Sequence, residues 1–157
     1  MEFVLMSVGA TRTDYVKKGI EDYYFRLRHY VQFSIVELPD AKGGKSMSRE
    51  QQKELEGKGF LSKIGSGDML VLLDERGREF TSKEFAGYLE KLMASGRKRV
   101  VFLMGGPYGF SPAVYQRADA KISLSKMTFN HEMVRLFFIE QIYRGMTILR
   151  GEPYHHD

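Results

Sequence analysis

"VVFLMGGPYGFSP", residues 100–112, decides how this chain is read. The apolar run from Val100 to Met104 has the length and the β-branched start of a strand buried on both faces. It stops at Gly105, Gly106 and Pro107, and Ser111-Pro112 then stands where a short helix over residues 112–118 would open. A buried strand, a turn and a helix make half of a βαβ unit, which calls for a parallel sheet covered by helices.

A glycine-rich loop behind a strand suggests a phosphate cradle, but these residues refuse it. A P-loop needs a Lys-Ser/Thr pair after its last glycine, and none follows Gly109. The dinucleotide fingerprint spaces its glycines differently from Gly105, Gly106 and Gly109, and Pro107 removes an N–H that an anion would want. The loop suits close backbone approach and a fixed shape.

Working outward, strands and helices alternate. Residues 2–8 read as an apolar strand, followed by a helix over residues 13–30 capped by Thr13 or Asp14. Its inward stripe is Tyr15, Val16, Ile20, Tyr23, Tyr24 and Leu27. Residues 33–38 form a second strand, and residues 41–47 a glycine-containing loop. Ser48 and Gln51 make a capping box for a helix that Gly57 and Gly59 weaken. Residues 68–73 are a buried strand ending at Asp74, with residues 74–77 as a loop. Thr81 and Glu84 box the next helix, which buries Phe85, Leu89, Leu92 and Met93 before Gly96. A strand over residues 120–124 precedes a last helix over residues 131–144.

The expected fold is therefore α/β: one domain over residues 1–157, a mainly parallel sheet with helices on both faces. Ligands of such sheets bind outside the carboxyl ends of the strands, where residues 74–77, 105–109 and 125–130 gather. The last helix carries apolar residues around most of its circumference, interrupted by Glu132, Arg135, Glu140, Gln141 and Arg144. So wide an apolar surface predicts a homodimer through this helix.

With no cysteine among 157 residues, thiolate nucleophiles, disulfides and zinc thiolates are excluded. The stretch HEMVR begins like a zincin helix but has Arg135 where the second histidine belongs, so no metal is expected. No membrane-length apolar run and no signal peptide is seen, which predicts a soluble cytoplasmic protein. A net charge of +4 permits a nucleic-acid partner without demanding one.

Several segments, in order and at matching spacing, resemble one family. They are VGAT (residues 8–11), PDAKGGK (39–45), LDERG (73–77), GGPYG (105–109), LSKMTFNHEMVR (124–135) and EQIYRGMTILRGEPYHH (140–156). Together they span essentially the whole chain and are similar to the bacterial 23S rRNA pseudouridine N3-methyltransferases, of the SPOUT (knotted) class. The resemblance implies a deep trefoil knot in the C-terminal half and S-adenosylmethionine as cofactor. Leu73, Gly105, Leu124, Ser125, Lys126, Met127, Thr128 and Phe129 would line its pocket. It also implies that the C-terminal tail reaches the active site, with Tyr154 and His155 in catalytic roles. His155 would act as a base or as a stabiliser of the imide anion. Arg144 either supplies positive charge to the substrate or simply pairs with Glu140 one turn away; the sequence leaves both open. His156 stands where many relatives carry Arg or Lys, which removes a fixed charge from that position.

Homodimers acting on 23S rRNA within the large subunit or the assembled ribosome are implied too. Lys17, Lys18, Arg26, Arg28, Lys42 and Lys45 are candidate phosphate contacts. A knotted methyltransferase acting on tRNA and a non-catalytic RNA-binding protein are the competing expectations.

Overall fold

The structure, a computed structural model, describes residues 1–40 and 46–156. Five strands and five helices alternate: β1 (Glu2–Val8), α1 (Asp14–Leu27), β2 (Gln32–Leu38), α2 (Arg49–Ser62), β3 (Met69–Glu79), α3 (Ser82–Met93), β4 (Arg99–Met104), α4 (Pro112–Arg117), β5 (Ala120–Ser123) and α5 (Met133–Leu149). All strand pairs are parallel, in the order β2-β1-β4-β3-β5. Lys42 and Lys45 lie outside the described residues.

The central strands are apolar on both sides because both sides are covered. Phe3, Leu5, Val71, Val100 and Phe102 pack under α1, α3 and α5, while Val4, Met6, Leu70, Leu72, Val101 and Leu103 pack under α2 and α4. Phe102 is fully buried, edge-on to Phe3 at 5.5 Å and to Phe138 of α5 at 5.0 Å. Burying one such ring contributes about 2 kcal/mol.

Both capping boxes form, Ser48 with Gln51 and Thr81 with Glu84. Gly57 does not end α2. It lies where α2 meets α4, and a Cβ there would sit 2.5 Å from the Ser111 hydroxyl.

Four expectations are corrected. Residues 74–77 are not a loop but part of β3, which runs to Glu79. Its register against β5 jumps, so that Leu73 and Arg78 both face Ile122. Gly77 crosses β5 so closely that a Cβ would lie 2.6 Å from the Ile122 backbone, where no side chain fits. Tyr15 is exposed, because α1 turns only Val16, Ile20 and Leu27 fully inward. That helix also stops at Leu27 rather than residue 30. The last helix continues past Arg144 to Leu149, since Gly145 is a packing site whose Cβ would meet Leu89 of α3 at 2.7 Å.

Wedged against α1, α3 and the sheet, α5 buries Phe138, Ile139, Ile142 and Met146 within its own subunit. Its apolar breadth is thus mostly spent inside the monomer, leaving Phe137 at 41% exposure. Arg135, apparently an interruption of the apolar surface, is buried. Its Nη1 donates to the Gly9 carbonyl, the Thr11 hydroxyl and Glu37, and its Nη2 donates to the Val8 carbonyl, at 2.8–2.9 Å. Glu132, in the turn before, accepts from the N–H groups of Arg12 and Thr13. The HEMVR stretch is therefore a clamp that fixes the start of α5 to the ends of β1 and β2.

Candidate functional site

A cleft of about 810 Å³ opens at the carboxyl ends of β3, β4 and β5. Three segments build it, each held by its own backbone chemistry. Leu73 stands in the last β3 position before the register jump, paired with Met104 of β4 and Ile122 of β5. Residues 105–109 form the second wall, closed by a Gly109 N–H bond to the Gly106 carbonyl at 3.1 Å. Gly109 has φ +84°, which favours glycine. The third wall follows β5: Ser123 Oγ donates to the Ser125 carbonyl, and the Met127 N–H donates to Ser125 Oγ. Asn130 Oδ1 then accepts the N–H groups of Glu132 and Met133, starting α5.

Seven of the eight expected cofactor positions line this cleft: Leu73, Gly105, Leu124, Ser125, Met127, Thr128 and Phe129. Lys126 does not. Its side chain is exposed and points to Glu79 at 3.8 Å. Gly105 lines the cleft, and its missing side chain also serves the packing of the loop. A Cβ there would press on the Phe110 ring at 3.1 Å and the Gly109 carbonyl at 3.2 Å. Gly106 is backed by the buried Glu56 of α2, whose carboxylate would lie 2.6 Å from a Cβ. Burial pushes the Glu56 carboxyl up, offset in part by bonds from Gln52 and the Gly106 N–H.

Sequence reasoning missed the contacts that build the rim. Asp74 accepts a short hydrogen bond from the Tyr115 hydroxyl and another from the Arg76 N–H at 2.9 Å. Burial pulls its carboxyl up, yet these bonds and the nearby Arg76 charge outweigh burial and hold it below the usual range. Tyr108, half exposed at the loop tip, lies under the Arg49 guanidinium at 5.0 Å. Glu50, Lys53, Glu75 and His131 complete the mouth. The sequence places residues 74–77 and 105–109 at this edge, but it gives no sign that Tyr115 would meet Asp74 or that Arg49 would meet Tyr108.

Tyr154, His155 and Arg144 are elsewhere, on the face where α1 meets α5. Tyr154 donates to Glu140 at 2.9 Å, contacts the Tyr23 hydroxyl at 3.0 Å and packs edge-on to Tyr143 at 4.7 Å. Burial first, then the bonds to Tyr23 and Glu140, push its phenol far above the usual range. Tyr154 is a neutral anchor at working pH. Arg144 does pair with Glu140, at 2.6 Å, and its other terminal nitrogen is 3.0 Å from His155 Nδ1. Glu152, accepting from Tyr30 at 2.6 Å, fixes the tail a second time. From Val134 at the cleft to Arg144, ten residues of α5 rise about 15 Å. Within one subunit, then, the expected cofactor pocket and the expected catalytic tail are apart.

Lys17 and Lys18 are exposed on α1 and Arg28 just past its end, while Arg26 is paired with Asp22 and packed on Tyr23 and Tyr143. Among the described residues no acidic or histidine cluster could hold a metal ion, and no helix is long and apolar enough to cross a membrane.

A family model described as "Predicted SPOUT methyltransferase" matches residues 1–155. The chain is 55% identical over its whole length, and the relative's, to "Ribosomal RNA large subunit methyltransferase H" of Parabacteroides distasonis. It is 52% identical to the protein of that name in Porphyromonas gingivalis, again over all of both chains. A third, from Flavobacterium johnsoniae, shares 52% identity over 99% of each. The chain belongs to the SPOUT methyltransferases, in the branch of the ribosomal RNA large subunit methyltransferase H proteins.

Proposed function

We propose that this protein transfers a methyl group from S-adenosylmethionine to N3 of a pseudouridine in 23S rRNA, on assembled ribosomes, as a cytoplasmic homodimer. The observation that carries the reading is the cleft itself, in which LDERG, GGPYG and LSKMTF converge at one sheet edge. Its lining fits the cofactor. Leu73, Phe110, Leu124, Met127 and Phe129 offer an apolar enclosure for an adenosyl group, and exposed backbone polar groups can read its edge. The rim sets Glu50, Asp74 and Glu75 among Arg49, Lys53 and Arg76, and it lacks the Lys-Ser/Thr pair with which a P-loop grips phosphates. Met127, at 77% exposure, is an apolar side chain that a ligand would cover.

S-adenosylmethionine supplies, when bound, a methyl group activated by its positive sulfur. The chain's part is to hold the imide of pseudouridine in line with that group and to favour its anion, because the protonated nitrogen is a poor nucleophile. Tyr108 and Arg49 at the mouth offer a stacking surface for an unpaired base, and Lys17, Lys18 and Arg28 offer phosphate contacts. The gap between cleft and tail supports a dimer in which one subunit's tail completes its partner's cleft. Exposed Phe137 on α5 supports that association. A trefoil threading of the C-terminal half belongs to this reading, supported by the double register at Ile122 and the tight passage of Gly77.

The test supplies labelled S-adenosylmethionine with purified ribosomes or with bulk tRNA. Label in 23S rRNA alone is expected; transfer to tRNA alone would favour the other knotted-enzyme reading. Light scattering should give the mass of two chains, and a monomer at micromolar concentration would overturn the dimer.

A further inference from the structure

We infer that Glu140 is a positioning residue which, through Arg144, holds His155 as the Nε2–H tautomer, so that His155 meets the substrate as a hydrogen-bond donor and not as a base. This rests on the methyltransferase reading above. An arginine side chain has five N–H donors, no acceptor, and does not deprotonate in proteins. The 3.0 Å contact between Arg144 Nη1 and His155 Nδ1 therefore has one polarity: the guanidinium donates and Nδ1 accepts. A neutral imidazole that accepts at Nδ1 carries its proton on Nε2. The Nδ1 lone pair, the one a base of this tautomer would use, is already occupied by the arginine.

Arg144 is itself held from two directions. Its Nη2 donates to Glu140 Oε1 at 2.6 Å, and its guanidinium lies over the Tyr154 ring at 4.8 Å. The same Glu140 oxygen accepts from the Tyr154 hydroxyl, which also meets Tyr23 of α1. Glu140 and Arg144 are one turn apart on α5, while Gly151, with φ +68°, turns the chain so that Tyr154 and His155 return to them. The titratable and charged groups around this network are Glu140, Tyr143 and Arg144 from α5, Tyr23, Arg26 and Tyr30 from α1 and its end, and Glu152 and Tyr154 from the tail.

The chemistry then divides as follows. The N3–H bond breaks and its proton goes to solvent, leaving an imide anion whose charge spreads onto the flanking carbonyl oxygens. His155 Nε2–H donates to one of those oxygens. The N3 electron pair forms the new bond to the methyl carbon as the carbon–sulfur bond breaks, and the sulfur leaves as a neutral thioether.

The test is nitrogen NMR on the full-length protein with labelled histidine, the His155 signals being assigned by His155→Gln among the four histidines. One pyridine-like Nδ1 and one protonated Nε2 are expected at neutral pH. Arg144→Met and Glu140→Leu should each average the two nitrogens, and Glu140→Gln, which keeps an acceptor oxygen, should restore the wild-type pattern. On ribosomes, Glu140→Leu should lower kcat by about 10- to 100-fold with KM for S-adenosylmethionine unchanged, consistent with loss of an oriented catalytic group. The wild-type rate should climb with pH with no break in the imidazole range. An Nδ1–H tautomer, an imidazolium at neutral pH, or such a break would overturn the inference. The spectra require no turnover, so failure to methylate ribosomes would sink the functional reading while leaving the tautomer measurement to stand or fall separately.

Discussion

Replacing Arg135 by methionine should unfold the molecule more easily than any surface change, and its cost can be worked through. The guanidinium is 4% exposed and donates four hydrogen bonds, two of them to the carbonyls of Val8 and Gly9, which end β1. Methionine fills similar volume but strands those acceptors and leaves the Glu37 carboxylate without its counter-charge. Removing one partner of a buried pair costs about 3–5 kcal/mol. The lower end applies here, because Glu37 is 31% exposed and keeps the Thr11 N–H and hydroxyl as donors. A loss of about 3 kcal/mol in a domain of this size lowers Tm by about 6–12 °C. Glu37→Gln, which keeps an acceptor, should cost about 1 kcal/mol, and the double variant should show a coupling of about 2 kcal/mol. Urea unfolding of the four proteins measures this. An Arg135→Met loss below about 1 kcal/mol, or strictly additive effects, would refute the clamp.

Gly77→Ala puts a methyl group 2.6 Å from the Ile122 backbone, which is paired to β3 at both Leu73 and Arg78 and so resists yielding. It should cost about 3 kcal/mol and weaken S-adenosylmethionine binding together, as calorimetry and thermal melts would report. Gly105→Ala meets only Phe110 and Gly109, at 3.1–3.2 Å, so the loop should shift and cofactor affinity fall about tenfold while Tm changes little. Asp74→Asn tests a pH dependence. The Asp74 carboxyl is held below its ordinary value by Tyr115 and Arg76 despite burial, so its stabilisation is present above about pH 4 and disappears as pH falls through the depressed value. Wild type should out-melt the variant at pH 7, and the difference should vanish in strong acid.

Local chemistry was legible where it decides structure alone. Ser48-Gln51 and Thr81-Glu84 announce helix starts, and the apolar runs at residues 68–73 and 100–104 announce buried parallel strands, because burial on both faces leaves no room for polar residues. What was hidden depends on distant partners. Arg135 looks like a break in an apolar helix until Glu37, 98 residues earlier, is beside it. Gly145 looks like a helix end until Leu89 arrives against it. The charges of residues 74–77 look like a loop, yet they belong to β3, whose end pairs with β5. Seven of the eight residues expected to share one pocket do line one cleft, because they are contiguous in three motifs. The Arg144–Glu140 pair was open to a sequence reading, one helical turn apart, but the contacts of Tyr154 with Glu140 and Tyr23 were not, since they need the tail to return across α5.

Mass mapping of 23S rRNA from cells with and without the gene tests the central claim most directly. One pseudouridine should carry an N3-methyl group in the parent, lose it on deletion and regain it when the wild-type gene is restored. An unchanged methylation map on deletion would contradict the assignment of this protein as that methyltransferase.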